Sequence, residues 1–291
     1  MSTELSAASL RVTGLTTVAL IAFAGNSVLC RLALADGSID AASFTTVRLV
    51  SGAIALLLIL NASNRGTRPA SYGSWMSAAM LFLYAACFSF AYISLDTGIG
   101  ALILFGMVQA TMVAGALIAG DRPTIAEWIG WIFAVAGFIY LVSPGLTAPS
   151  PGGSALMAFA GIGWGIYSLR GRREPFALAG TTYNFLRSVP LVLVVSVFSL
   201  QNLHVTTSGV VFAILSGAIT SGVGYAIWYT ALQSISSMQA AMVQLSVPIL
   251  AAAGGVLFLA ESVSLRLIVS GLLILGGIFL AIFGKAKFKN G

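Results

Sequence analysis

Charge is what this sequence has least of. Only 8% of its 291 residues are Asp, Glu, Lys or Arg, against 58% hydrophobic, and the mean hydropathy is +1.00. Soluble domains carry roughly a quarter charged residues. A water-soluble surface cannot be built from this composition, so lipid must be the solvent for most of the chain. No stretch between the apolar runs is long enough to form a soluble catalytic domain. Histidine occurs once, at His204 in an expected outer loop, which leaves no basis for a zinc centre. The two cysteines, Cys30 and Cys87, lie inside apolar runs. They supply no disulfide framework and read as small hydrophobic residues. Catalytic residues, metal ligands and cofactor motifs are not expected. Gly161-Ile162-Gly163-Trp164-Gly165 resembles half of a nucleotide-binding loop, but no strand precedes it and it falls inside an apolar run. Its glycines fit close helix contact better.

What the chain has instead is a series of apolar runs, near 11–33, 41–60, 74–95, 99–119, 126–143, 154–170, 177–200, 208–231, 237–258 and 265–284. A bilayer core requires about 20 residues of helix. In lipid each backbone group must be bonded within its own segment, which selects helices over open strands. The expected fold is therefore all-α and integral to the membrane, with ten transmembrane helices. Ala33-Leu34-Ala35 mimics a signal-peptidase site. The run from about Val12 to Cys30 exceeds the 7–15 residues of a signal h-region, so it reads as an uncleaved first helix. Asp36-Gly37-Ser38, Gly66-Thr67-Arg68-Pro69, Asp121-Arg122-Pro123 and Ser143-Pro144-Gly145 supply turn chemistry between runs.

The formal charge of +6 is spread over short loops and the two ends, so it reads as a topology signal and not as a nucleic-acid surface. With a cytoplasmic N-terminus, the cytoplasmic side receives Arg11, Arg65, Arg68, Arg122, Arg170, Arg172, Arg173, Lys285, Lys287 and Lys289. The outer side receives only Arg31 and Arg266, and Arg48 and Arg187 fall within spans. This bias places both termini in the cytoplasm, in a multi-pass protein of the cell (inner) membrane.

The two halves also align on each other. Arg31 falls on Arg170 and Arg48 on Arg187 at one offset. Tyr84 meets Ser221, Phe88 meets Tyr225, Tyr92 meets Tyr229, Asp121 meets Glu261 and Gly137 meets Gly277, with almost no drift. An odd number of helices per copy inverts the second copy in the membrane. The expected units are residues 1–148 and 149–291, two inverted five-helix repeats, an arrangement typical of secondary transporters with a midplane site between the halves.

These half-length copies, each with an acidic residue in the loop before its last helix, resemble the EamA-type drug/metabolite transporters. The second copy is the closer, with Ala231-Leu232, Gln239-Ala240-Ala241, Val247-Pro248, Leu259-Ala260-Glu261-Ser262 and Gly271-Leu272. The first copy has Gly120-Asp121-Arg122 where Glu is usual, and no proline matching Pro248. The resemblance implies ten helices, a central cavity and movement of small metabolites, often export of amino acids.

Polar and aromatic residues in mid-span are candidates for the site, because leaving them in lipid is unfavourable. Arg48 and Arg187 must face a wet cavity, a carbonyl cluster or a snorkelling exit. They read as gating or structural residues, or as partners of a substrate carboxylate. Ser221, Tyr225, Trp228 and Tyr229 share one helical face, and so do Tyr84, Phe88 and Tyr92. Trp164 and Tyr167 join them from the sixth helix. Tyr92 and Tyr229, at span ends, also suit an interfacial belt. The mid-span aromatic residues read as cavity lining or as ordinary packing. Asn26, Gln109 and Gln244 read as interhelical hydrogen-bonding groups or as substrate contacts. The expected substrate-binding set is thus Asn26, Tyr84, Phe88, Gln109, Trp164, Tyr167, Tyr225, Trp228 and Gln244.

No Asp or Glu falls in mid-span. Coupling to protons or sodium commonly uses an embedded carboxylate, so movement down a gradient, or exchange, is favoured. The leading reading is an exporter of amino acids with aromatic or apolar side chains, working by alternating access as a monomer or homodimer. Export of other metabolites or drugs is the alternative. A lipid-modifying membrane enzyme is a more distant one, since no paired acid and base is visible.

Overall fold

Apolar sequence with few prolines inside its runs leaves the backbone one way to satisfy itself in lipid. The computed structural model describes residues 2–63, 72–118, 120, 124–145, 148–172, 174–235 and 237–289. Among these, regular structure is helical, apart from an isolated antiparallel bridge between Ile39 and Val205. The α-helices are α1 (Ser2–Leu34), α2 (Ala41–Ala62), α3 (Trp75–Ala91), α4 (Thr97–Ile118), α5 (Ile125–Val142), α6 (Pro151–Gly171), α7 (Ala177–Phe198), α8 (Thr207–Ile214), α9 (Gly224–Leu232), α10 (Ser237–Gln244), α11 (Ser246–Leu259) and α12 (Leu265–Lys289). Among the described residues, eight apolar segments are long enough to cross a membrane, and Trp75–Ala91 is a shorter apolar helix. The chain is a multi-pass membrane protein.

Helix starts follow the local chemistry. Asp40 accepts from the Ser43 N–H and Ser74 from the Ser77 N–H, capping α2 and α3. Thr124 and Glu127 form a reciprocal capping box on α5. Ser150 followed by Pro151 opens α6. Two runs expected as single helices depart from that pattern. The run near 208–231 contains a π-helical stretch, Leu215–Val223, between α8 and α9. The run near 237–258 is divided at Leu245 into α10 and α11. Pro248 has no N–H to give the carbonyl four residues back, and the division sits beside that position. The turn Asp121-Arg122-Pro123 lies outside the described residues.

Without a hydrophobic drive between helices in lipid, small residues set the packing. On α6, Gly161 lies against Met107 and the Leu104 carbonyl, Gly163 against the Met80 carbonyl, and Gly165 against Thr111. That stripe presses α6 onto α3 and α4. Gly130 and Gly277 bring α5 and α12 together backbone to backbone. Gly217 lets the π-helical stretch meet α2 at the Arg48 carbonyl. Across the molecule α2 packs on α7, α5 on α12, α4 on α6 and α11, and α1 on α11 and on the α8–α9 rod.

One end of the bundle is tied together by polar contacts, with shallow recesses of about 280 and 430 Å³ beside them. Arg31 donates to the carbonyls of Tyr92 (2.9 Å) and Ile93 (3.1 Å) and pairs with Asp96 (3.5 Å) and Glu261 (3.4 Å). Beside it, Asp40 and His204 exchange backbone and side-chain bonds, and Thr206 binds the Ser38 carbonyl. The Ser38 hydroxyl and N–H hold the Asp36 carboxyl below the usual carboxylate range. Tyr92, read from sequence as interfacial, is instead fully buried here and donates to the Thr97 carbonyl at 3.2 Å.

Candidate functional site

The polar residues of α1, α2 and α3 meet the π-helical stretch in one knot. Asn26 Nδ2 donates to the Tyr84 hydroxyl (3.2 Å), while its Oδ1 accepts from Ser216 (2.6 Å) and Thr220 (3.3 Å). Arg48 donates through Nη2 to the Tyr84 hydroxyl (3.0 Å) and through Nε to Ser221 (3.3 Å). The Tyr84 oxygen therefore accepts twice. A widened π turn sets Ser216, Thr220 and Ser221 toward α1 and α2 together, consistent with the recurrence of π segments at functional sites.

Rings close over this knot. Trp164 stands 4.9 Å from both Tyr84 and Tyr225, 5.6 Å from Tyr167 and 6.2 Å from Phe23, centroid to centroid. Phe23 also meets Tyr225 at 5.9 Å and Trp228 at 5.5 Å. The Arg48 guanidinium lies over the rings of Tyr84 (5.1 Å) and Phe88 (4.9 Å).

Two spaces flank the ring layer. On the knot side is an internal cavity of about 20 Å³, bounded by Asn26, Ser27, Tyr84, Phe88, Trp164 and Tyr225. On the other side is a recess of about 390 Å³, bounded by Trp164, Trp228, Tyr229, Arg172, Glu174 and Gln244. The recess lies at the end of the bundle opposite the Arg31 cluster. Trp164 borders both spaces.

Of the residues singled out by sequence, Asn26, Tyr84, Phe88, Trp164 and Tyr225 are thus brought to the internal cavity, and Trp228 and Gln244 to the recess. Gln244 donates to the Ala240 carbonyl one turn back. Tyr167 is buried against Trp164 but borders neither space. Gln109 is buried in α4 and borders neither. Arg187 donates to the Tyr72 carbonyl at 2.7 Å, bracing α7 against the start of α3. Phe23, Ser216 and Thr220 belong to the site without having been singled out. The pair of hydroxyls in Ser216-Gly217-Ala218-Ile219-Thr220-Ser221 was the available signal for the last two; Phe23 carried none in an apolar helix.

Residues 152–283 match the EamA-like transporter family. The chain is 46% identical over 266 residues to an uncharacterized protein of Pseudomonas aeruginosa, covering 91% of this chain and 92% of that one. It is 21% identical over 258 residues to the uncharacterized transporter YoaV of Bacillus subtilis, covering 84% and 88%. A crystal structure of a protein 19% identical in sequence superposes with a TM-score of 0.64 over 91% of this chain and 98% of that one, a likeness of fold. The glycine-packed helices, the ring-covered polar knot and these relatives agree: the chain belongs to the EamA-like transporter family and is a membrane transporter.

Proposed function

We propose that this protein is a secondary transporter that exports small amphipathic metabolites, amino acids with aromatic or apolar side chains foremost, by alternating access. The observation that carries the reading is the unequal state of the two ends. A recess of about 390 Å³ reaches the ring layer from one side, whereas the recesses of about 280 and 430 Å³ at the other end are bounded by none of its rings and lie beside the ion pairs and backbone bonds. A solute-sized space ending on an aromatic layer is what an inward-facing carrier requires, and ligand sites of this kind are mostly apolar with a few placed polar groups.

In this reading ten helical rods cross the inner membrane, both termini are cytoplasmic, and residues 1–148 and 149–291 form inverted repeats. The packing supports it: α1 meets α11 as α6 meets α4, while α2 on α7 and α5 on α12 join equivalent helices of the two halves. The basic residues on the recess side, Arg170 and Arg172, support a cytoplasmic position for that side under the positive-inside rule.

The test is transport by purified protein in liposomes, with a panel of labelled aromatic and aliphatic amino acids. Saturable movement of one or more, absent from empty liposomes, is the expected result. Movement of no amino acid in either direction, by protein shown to be folded, would remove amino acids as the substrate class.

A further inference from the structure

Arg48 is a buried cation without a counter-ion. It is 1% exposed, and among the described residues the ion pairs both belong to Arg31. Its neighbours are neutral: the hydroxyls of Tyr84 and Ser221 and the faces of two rings. Nε and Nη2 are engaged, but Nη1 has no hydrogen-bond partner. A buried ion without a compensating charge is strongly unfavourable, and a buried donor left unpaired adds to the cost. A protein keeps such a group where something else completes it.

Arg187 is the internal control. It stands at the matching place in the second half, and it does what a brace does: Nη1 goes to a backbone carbonyl, that of Tyr72, at 2.7 Å. Arg48 makes no bond to a backbone carbonyl. Its guanidinium stacks instead on Tyr84 and Phe88, two of the rings that wall the internal cavity. That cavity, about 20 Å³, holds no more than a water-sized group. The ring layer must part before a solute reaches the arginine.

We infer that Arg48 is the receptor for a carboxylate on the transported solute, so that the site selects carboxylate-bearing solutes over neutral or cationic ones with the same apolar body. This rests on the transporter reading above and adds the charge class of the cargo. The carboxylate takes the free Nη1 protons in a charge-assisted bond, replacing a neutral surrounding with a paired one. The apolar body then lies among Trp164, Tyr225 and Phe23. Asn26 Oδ1 accepts the Ser216 hydroxyl at 2.6 Å, while the Thr220 hydroxyl, 3.3 Å from it, lies closer to the Ser216 carbonyl at 2.8 Å; among the described residues the knot holds no carboxylate to pair with a solute amine, so the amino group is not what it reads.

Three probes with one body decide the matter: 3-phenylpropionate, 3-phenylpropionamide and phenethylamine. Binding at neutral pH is read on the purified protein by quenching of tryptophan fluorescence and by the shift in thermal unfolding. The acid is expected to bind about tenfold or more tightly than the amide or the amine. In Arg48→Lys and Arg48→Met the preference should fall to about threefold or less. Equal binding of acid and amide by the wild type, no binding of the acid, or full preference retained by a folded Arg48→Met would each overturn the assignment. If neither variant folds, the wild-type series decides alone. The carrier reading fails separately: the acid binds selectively yet is not moved across liposomes containing the protein. Equal transport of acid and amide leaves the carrier reading intact and removes Arg48 as the selector.

Discussion

Glu261 caps a helix 164 residues away from it in sequence. Both of its carboxylate oxygens accept the Thr97 backbone N–H, at 3.0 and 2.9 Å, and Oε1 also accepts the Thr97 hydroxyl at 3.0 Å. The same Oε1 faces Arg31 Nε at 3.4 Å. One side chain from the loop before α12 thus satisfies the free N–H at the start of α4 and holds the end of α1. Three elements are fastened by a single carboxylate that is mostly shielded from solvent.

Removing that fastening should loosen this end alone. Glu261→Ala is expected to lower stability by about 2 kcal/mol, as loss of hydrogen bonds to a charged group does. Cys30, fully buried one residue before Arg31, becomes the reporter in a background where Cys87 is serine. A membrane-impermeant maleimide applied to intact cells should leave Cys30 unlabelled in the parent and label it in Glu261→Ala. Unchanged protection of Cys30 would show that the cluster is not what closes this end.

The orientation has its own check. A reporter that fluoresces only in the cytoplasm, fused after Gly291, should be bright. A dark but well-expressed fusion would put the recess on the outer side and turn the export reading into uptake.

Gly217 tests the packing of the π-helical stretch. A Cβ there collides with the Arg48 carbonyl and with Ser51 Oγ. Relief requires moving α2, and overpacking of this kind costs about 1–3 kcal/mol. Gly276, on α12, has nothing within reach of an added Cβ, so Gly276→Ala should be neutral or mildly stabilising because alanine favours helix. Thermal unfolding in detergent ranks the two. Gly217→Ala as stable as Gly276→Ala would mean that the contact with α2 is slack.

The helices were legible because a bilayer imposes length and apolarity together, which is why runs such as 41–60 and 177–200 fall within two residues of α2 and α7. The site was legible where a polar or large aromatic residue interrupts an apolar run, as at Asn26, Tyr84, Trp164 and Tyr225. Phe23 was not, because lipid-facing and core-facing positions are both apolar in a membrane helix, so hydropathy carries no contrast between them. The π-helical stretch was not, because hydropathy reads the period of side chains and not the partner of each N–H. Tyr92 was misplaced by its position at a span end; there the fold turns it inward, against Phe88 at 4.8 Å and the Thr97 carbonyl. Gln109 was singled out by polarity alone, and polarity inside a helix does not say which neighbour it faces.

Tyr84→Phe removes the oxygen on which Asn26 and Arg48 converge and leaves the rings in place. Two buried donors lose an acceptor, which costs about 1–3 kcal/mol for the Asn26 amide and more for the charged Arg48 guanidinium. The expected result is a clear drop in the unfolding temperature together with weaker transport. Tyr84→Phe with parental stability would mean that water fills the vacancy and that the knot is not a rigid unit.

Trp164 and Trp228 separate packing from passage. Trp164 touches the rings of Phe23, Tyr84, Tyr167 and Tyr225 and borders both spaces, whereas Trp228 contacts Phe23 and borders only the recess. Truncating a buried tryptophan costs about 3–5 kcal/mol where the gap stays open. Trp164→Ala should fall in that range, since four rings lose a partner, and it should also join the recess to the internal cavity. A carrier whose layer no longer closes leaks, so the expected signature is solute movement that loses saturation and exchange. Trp228→Ala removes one wall of the recess without opening the layer. It should cost less stability and weaken solute binding, raising the concentration for half-maximal transport while leaving exchange intact. Both measurements are made on purified, folded protein, so expression does not enter. Normal transport per folded molecule by a destabilised Trp228→Ala would make that ring a packing residue, and coupled exchange surviving in Trp164→Ala would show that the barrier lies elsewhere.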